Sequence, residues 1–124
     1  MADAISVVRD FCAAWDRRDK EAILAAFTDD AVYHNMSMEP AKGKDQIKGL
    51  LDFILPQGAD GIRFDIKRIA ADGDSVLTER VDTFTQGSKQ IVLEVMGAFE
   101  VRDGKIAAWR DYFDMARWTK QAGG

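Results

Sequence analysis

Residues 75–113 read SVLTERVDTFTQGSKQIVLEVMGAFEVRDGKIAAWRDYF, and this stretch decides the fold. Three long runs rich in β-branched and aromatic residues are separated only by Gln86-Gly87 and Asp103-Gly104. Such dipeptides supply the positive backbone angles of tight hairpins. The runs predict strands Ser75–Phe84, Gln90–Val101 and Lys105–Met115, each antiparallel to the next. Upstream, Ile62–Ala70 lies between Asp60-Gly61 and Asp72-Gly73 and joins the same meander.

Helical periodicity dominates the first half. Ile5, Val8, Phe11, Cys12 and Trp15 form one apolar stripe over about 3–17. Asp19 is placed to cap a short second helix through Ile23, Leu24 and Phe27, ending at the polar Thr28-Asp29-Asp30. Ala31–Met36 reads as a short strand. Gly43–Leu55 reads as a third helix with Ile47, Leu50, Leu51 and Ile54 on one face, stopped by Pro56. Helices followed by a long-stranded sheet make an α+β pattern. The 124 residues suit one domain over 1–124, with Gln-Ala-Gly-Gly expected as a frayed end.

Composition removes several function classes. Lys plus Arg number 17 against 21 Asp plus Glu, a net charge of −4 that suits neither a nucleic-acid groove nor an anionic membrane surface. No apolar run approaches the roughly 18 residues of a membrane span. The first ten residues lack the basic and apolar regions of a secretory signal. Cys12, the sole cysteine, allows no intrachain disulfide. A cytoplasmic protein is expected. His34, the only histidine, excludes a multi-histidine metal site and leaves the serines without a triad partner. No glycine-rich nucleotide motif is present, and no cofactor is expected.

Strand alternation then selects the candidate site. On Gln90–Val101, Ile91, Leu93, Val95, Phe99 and Val101 share an apolar face broken by Gly97, which is expected to leave space for a ligand. On the last strand Trp109 and Phe113 face inward and carry Asp111 between them. A lone buried carboxylate costs several kcal/mol, so Asp111 needs a partner. Arg80 and Asp82 lie two strands away, about 10 Å across a flat sheet and closer across a concave one. One guanidinium can donate to both carboxylates. Pattern alone also accommodates an inert ion cluster or three surface charges. Tyr33 and Asn35 share a face of the first strand, suited to holding water if that face is inward.

Tyr33-His34-Asn35-Met36, Pro40-Ala41 with Gly43, Glu79-Arg80-Val81-Asp82, and Gly104-Lys105-Ile106 running into Trp109–Asp114 together resemble the limonene-1,2-epoxide hydrolases. The resemblance spans nearly the whole chain. It implies a cone of the NTF2-like, SnoaL-like type, with a strongly curved mixed sheet around a deep apolar pocket and three to four packing helices. It also implies a homodimer through the outer sheet face. By the same resemblance Asp111 is the general base, Asp82 the general acid and Arg80 the bridge between them. Tyr33 and Asn35 hold the nucleophilic water, and Trp109 borders it. Leu50, Ile54, Phe84, Leu93, Val95 and Phe113 are expected to line the pocket, implying a small, largely apolar epoxide opened to a diol. Two alternatives stay open: another enzyme of this fold, an isomerase or cyclase, and a non-catalytic module that binds a small ligand.

Overall fold

The computed structural model describes residues 3–123. Helix α1 (Ala4–Asp16) begins at Asp3, whose carboxylate accepts from the Ser6 amide at 2.8 Å. Its stripe buries Val8, Phe11, Cys12 and Trp15. Asp19 caps α2 (Lys20–Ala25) through the Ala22 amide. Strand β1 (Phe27–Asn35) follows at once, then β2 (Ala41–Lys42) and α3 (Gly43–Gln57). The meander is β3 (Gly61–Asp72), β4 (Ser75–Gln86), β5 (Lys89–Arg102) and β6 (Lys105–Tyr112), closed by α4 (Met115–Gly123).

The six strands form one mixed sheet in the order β2-β1-β6-β5-β4-β3. All neighbours are antiparallel except β1 and β6, which run parallel and set Tyr33 beside Trp109 and Asn35 beside Asp111. Asp103 and Gly104 both take positive φ, 53° and 76°, as the two-residue hairpin between β5 and β6 requires. The expected α+β architecture and meander are therefore present.

The sheet curls strongly about α1. Strands β3 and β6 are three spacings apart, about 14 Å in a flat sheet. Even so, the rings of Phe64 on β3 and Trp109 on β6 approach to 6.3 Å between centroids. Phe11 of α1 meets Trp109 edge-on at 4.9 Å, and Trp15 stacks on Phe64 at 5.0 Å. This aromatic cluster packs the concave face. No helix among the described residues is long and apolar enough to cross a membrane.

Four sequence expectations need correction. Thr28-Asp29-Asp30 is not a turn but part of β1, which absorbs it through a register irregularity between Phe27 and Val32. Pro56 lies inside α3, not after it: a proline in the last turn forfeits one N–H bond, and the helix runs on to Gln57. The last strand ends at Tyr112, paired with Met96 of β5, and α4 begins three residues later. Gln121, Ala122 and Gly123 are helical and docked, not frayed, while Gly124 lies outside the described residues.

Candidate active site

Strand β4 buries Val76, Thr78, Arg80, Asp82 and Phe84 and turns Leu77, Glu79, Val81 and Thr83 outward. Its inner row thus carries a threonine, an arginine and a carboxylate into the concave face. Arg80 is 1% exposed, Asp82 3% and Asp111 4%. Charges so buried must be paired, and here they are. Arg80 Nε donates to Asp82 Oδ1 at 3.0 Å, and Nη2 to Asp82 Oδ2 at 2.8 Å. Nη2 also donates to Asp111 Oδ2 at 2.7 Å, and Nη1 to Asp111 Oδ1 at 3.2 Å. A last bond runs from Nη1 to Thr78 Oγ1 at 3.2 Å. All five donors of the guanidinium are spent, so its plane is fixed between the two carboxylates. The ring of Phe64 lies 4.8 Å from its central carbon, adding a cation–π contact on one face.

The two aspartates differ in their remaining contacts. Asp111 Oδ1 accepts a second bond from Trp109 Nε1 at 2.6 Å, which leaves Oδ2 the less occupied oxygen. Among the described residues Asp82 has no donor besides Arg80. Burial pushes the Asp82 carboxyl up to about 6, the Asp111 charge adds to the rise, and Arg80 opposes it. The Tyr33 phenol is held neutral, its pKa raised by burial first and by the Asp111 charge second.

A cavity of about 210 Å³ opens beside this cluster. Tyr33, Asn35, Asp82 and Asp111 form its polar end, and the remainder is apolar. A carboxyl group raised to about 6, beside a second carboxyl in a dry pocket, keeps a protonated fraction that can give a proton while its neighbour takes one. The Tyr33 and Asn35 side chains share that polar end and suit a water molecule.

A family profile described as the limonene-1,2-epoxide hydrolase catalytic domain matches residues 2–123. The chain belongs to that family. Epoxide hydrolase EphG of Mycobacterium tuberculosis is 41% identical over 108 residues, 87% of this chain and 71% of that protein. The solved structure of an M. tuberculosis LEH-like epoxide hydrolase is 40% identical, with a TM-score of 0.82 over 95% of this chain and 87% of that one. An NTF2-like protein of unknown function from Burkholderia pseudomallei superposes with a TM-score of 0.87, covering 100% of both chains at 19% identity, which speaks for the fold alone.

Membership in the hydrolase family gives the predicted residues a frame. Tyr33, Asn35, Asp82 and Asp111 reach the cavity, and Arg80 lies directly behind the two carboxylates. Leu50, Ile54, Phe84, Leu93, Val95 and Phe113 line the cavity wall. Trp109 does not line it. Its indole is fully buried, packed face to face on Tyr33 at 4.1 Å between centroids, and it acts from behind by bonding Asp111.

Gly97 also differs from expectation. Its missing side chain makes no room for a ligand. A Cβ there would collide with Arg80 Nη1 and stand 2.6 Å from Asp111 Oδ1, so the space is filled by the ion cluster itself. Sequence reasoning missed Thr78, although it shares the inward alternation of Arg80 and Asp82. It also missed Trp15, Met38, Phe53, Phe64, Met115 and Trp118 in the cavity wall. A signal for the last two existed: Met115, Trp118 and Ala122 recur at helical spacing.

Proposed function

We propose that this chain hydrolyses a small, largely apolar epoxide to a vicinal diol in one step, without a covalent intermediate. The observation that carries the proposal is the Arg80 fork, which holds two buried carboxyl groups side by side at the polar end of an apolar cavity. Water held by Tyr33 and Asn35 attacks one epoxide carbon. Asp111 Oδ2 takes a proton from that water, while protonated Asp82 gives its proton to the departing oxygen. The C–O bond of the ring breaks as the new C–O bond forms, so no charged alkoxide accumulates. The turnover leaves Asp111 protonated and Asp82 ionised. One proton must then return between them, and the two sit on either side of the same guanidinium.

Arg80 has two functions in this scheme. It keeps the pair from repelling, and it fixes both carboxyl planes at the cost of no donor left for substrate. The apolar wall keeps bulk water away, so the only nucleophile at the carbon is the positioned one. The test is incubation with a panel of small alicyclic and aryl epoxides in ¹⁸O-labelled water. One ¹⁸O atom per diol is expected at the attacked carbon, and diol formation should fall by about 10²–10⁴-fold in Asp82→Asn and Asp111→Asn. Turnover near the native level in either variant would exclude the scheme.

We propose two further features of the protein, a second copy on the outer sheet face and a cytoplasmic location. Leu77, Met96 and Tyr112 lie exposed on adjacent strands of the outer sheet face, with Met96 in register with Tyr112. We propose that this patch pairs with a second copy. Sedimentation at micromolar concentration should give twice the monomer mass, and Met96→Glu should halve it. The lone Cys12, buried with its thiol pushed up to about 12 by burial, suits the reducing cytoplasm in which we place the protein.

A further inference from the structure

Strand β5 outruns its neighbour. Its pairing with β6 stops at Met96–Tyr112, whereas β4 pairs with it all the way to Lys89. Over residues 89–95 one edge of β5 therefore has no strand beside it, and its outward N–H and C=O groups need partners. Gln121 of α4 supplies them at Val92. Its Oε1 accepts from the Val92 amide at 2.8 Å, and its Nε2 donates to the Val92 carbonyl at 2.9 Å. A carboxamide has the same donor and acceptor as a peptide group, so one side chain takes the place of the missing strand residue. Lys89 adds a bond from Nζ to the Ala122 carbonyl at 2.8 Å.

This anchor decides where α4 lies. One turn before Gln121, Trp118 meets Phe84 edge-on at 5.2 Å and lines the cavity together with Met115. No residue of α4 is fully buried; Trp118 and Ala122 pack only partly buried against the core and Arg117 makes an exposed ion pair with Glu94, so the Gln121 anchor adds directional hold to a shallow contact. We propose that Gln121 is a specificity-determining positioning residue: by completing the edge of β5 it holds Trp118 and Met115 as a fixed wall, and so limits the size of ring the cavity admits. It touches no reacting atom and acts through Trp118.

The proposal rests on the reading of this cavity as the epoxide site, and the test separates the two. Gln121→Ala removes both bonds to Val92. Gln121→Glu keeps the acceptor but sets a carboxylate against the Val92 carbonyl. Three measurements are made on native protein and both variants. The first is exchange of the Val92 amide hydrogen. The second is acrylamide quenching of tryptophan fluorescence, which reports Trp118 because Trp15 and Trp109 are fully buried. The third is binding of one-ring and two-ring saturated cyclic alcohols, with kcat/KM for the corresponding epoxides measured beside it. In both variants Val92 exchange and Trp118 quenching should rise. The preference for one-ring over two-ring ligands should fall by about tenfold, the discrimination a well-fitted apolar wall supplies. For epoxides that change should appear in KM more than in kcat.

Unchanged Val92 exchange, or a freed Trp118 with unchanged ring-size preference, would overturn the proposal. Absence of turnover by native protein would count against the hydrolase reading alone, because alcohol binding still decides the role of Gln121. Should Gln121→Ala lose its cooperative unfolding transition, Gln121→Glu and Trp118→Leu carry the test. Relaxed ring-size preference in either supports the proposal, and native preference in both overturns it.

Discussion

Gly97 sits opposite Asp111 across the β5–β6 ladder, and a methyl group on its α-carbon would stand 2.6 Å from Asp111 Oδ1. The ion cluster therefore uses the volume that every other residue type would occupy. In Gly97→Ala either the guanidinium or the carboxylate must move. We expect a stability loss of about 1–3 kcal/mol, as for other overpacked cores. Epoxide turnover should fall at least about a hundredfold, because the proton-transfer geometry is lost. Urea unfolding and diol formation measured on the same preparation give both numbers.

Arg80 is held by two carboxylates, so removing one leaves a matched pair, while removing the arginine leaves two buried negative charges. Asp82→Asn and Asp111→Asn should keep the fold and lose about 10²–10⁴-fold in kcat, the usual weight of a general acid or base. Arg80→Met should cost more stability than either, about 3–5 kcal/mol at pH 7. Part of that loss should be recovered near pH 4, well below the raised value of Asp82, where that carboxyl is protonated. Thermal unfolding of the three variants at the two pH values is the comparison. An Arg80→Met protein as stable as Asp82→Asn at pH 7 contradicts the cluster as described.

The pH profile has a sign that can be worked out from Asp82. Burial raises its carboxyl to about 6, and the acid form is the one that donates. That form is populated below the raised value and lost above it. The kcat/KM of the free enzyme should fall on the alkaline side with a midpoint near 6, tenfold per unit well above it. Stability shares the direction. A folded value above the ordinary 3.8 contributes stability that is complete below about 4 and is lost as pH rises through 6. A profile flat from pH 5 to 8 would remove Asp82 as the acid.

Tyr33 is held by packing as much as by polarity, stacked on Trp109 with an interplanar angle of 4°. Tyr33→Phe preserves the stack and deletes one contact to the water. Turnover should drop partly, about tenfold, as expected for one hydrogen bond of about 1.4 kcal/mol. In the proposed scheme Asn35 still holds the nucleophile. A loss equal to that of Asp111→Asn would give the phenol a direct part in the chemistry.

Much of this architecture was legible before any coordinates. The Asp103-Gly104 and Gln86-Gly87 turns announce the meander, because a short hairpin makes consecutive strands pair with each other. Alternation placed Asp111 beside Trp109 on one inward row, and the ordered motifs from Tyr33 to Asp114 supplied the family. Three things escaped for physical reasons. The curl of the sheet is a collective property of twist and aromatic packing, so the approach of Phe64 to Trp109 leaves no local trace. The start of β1 was hidden because Thr28-Asp29-Asp30 has turn composition, yet pairing across a register irregularity overrides local preference. The role of Gly97 was inverted, since an empty site in sequence does not say which neighbour will fill it.

Asn35 and Asp111 lie side by side in the sheet's only parallel pair among the described residues. That pairing joins an early strand to the last one, so the site has an order in time. During synthesis Tyr33 and Asn35 emerge first, then Arg80 with Asp82, and Asp111 last. Until β6 docks between β1 and β5, the guanidinium has one carboxylate and the first strand has no neighbour but the short β2. Contacts this distant along the chain form late and slowly. In the proposed scheme the two carboxylates therefore meet across Arg80 only once β6 has docked, and the site is completed by the pairing of strands far apart in sequence.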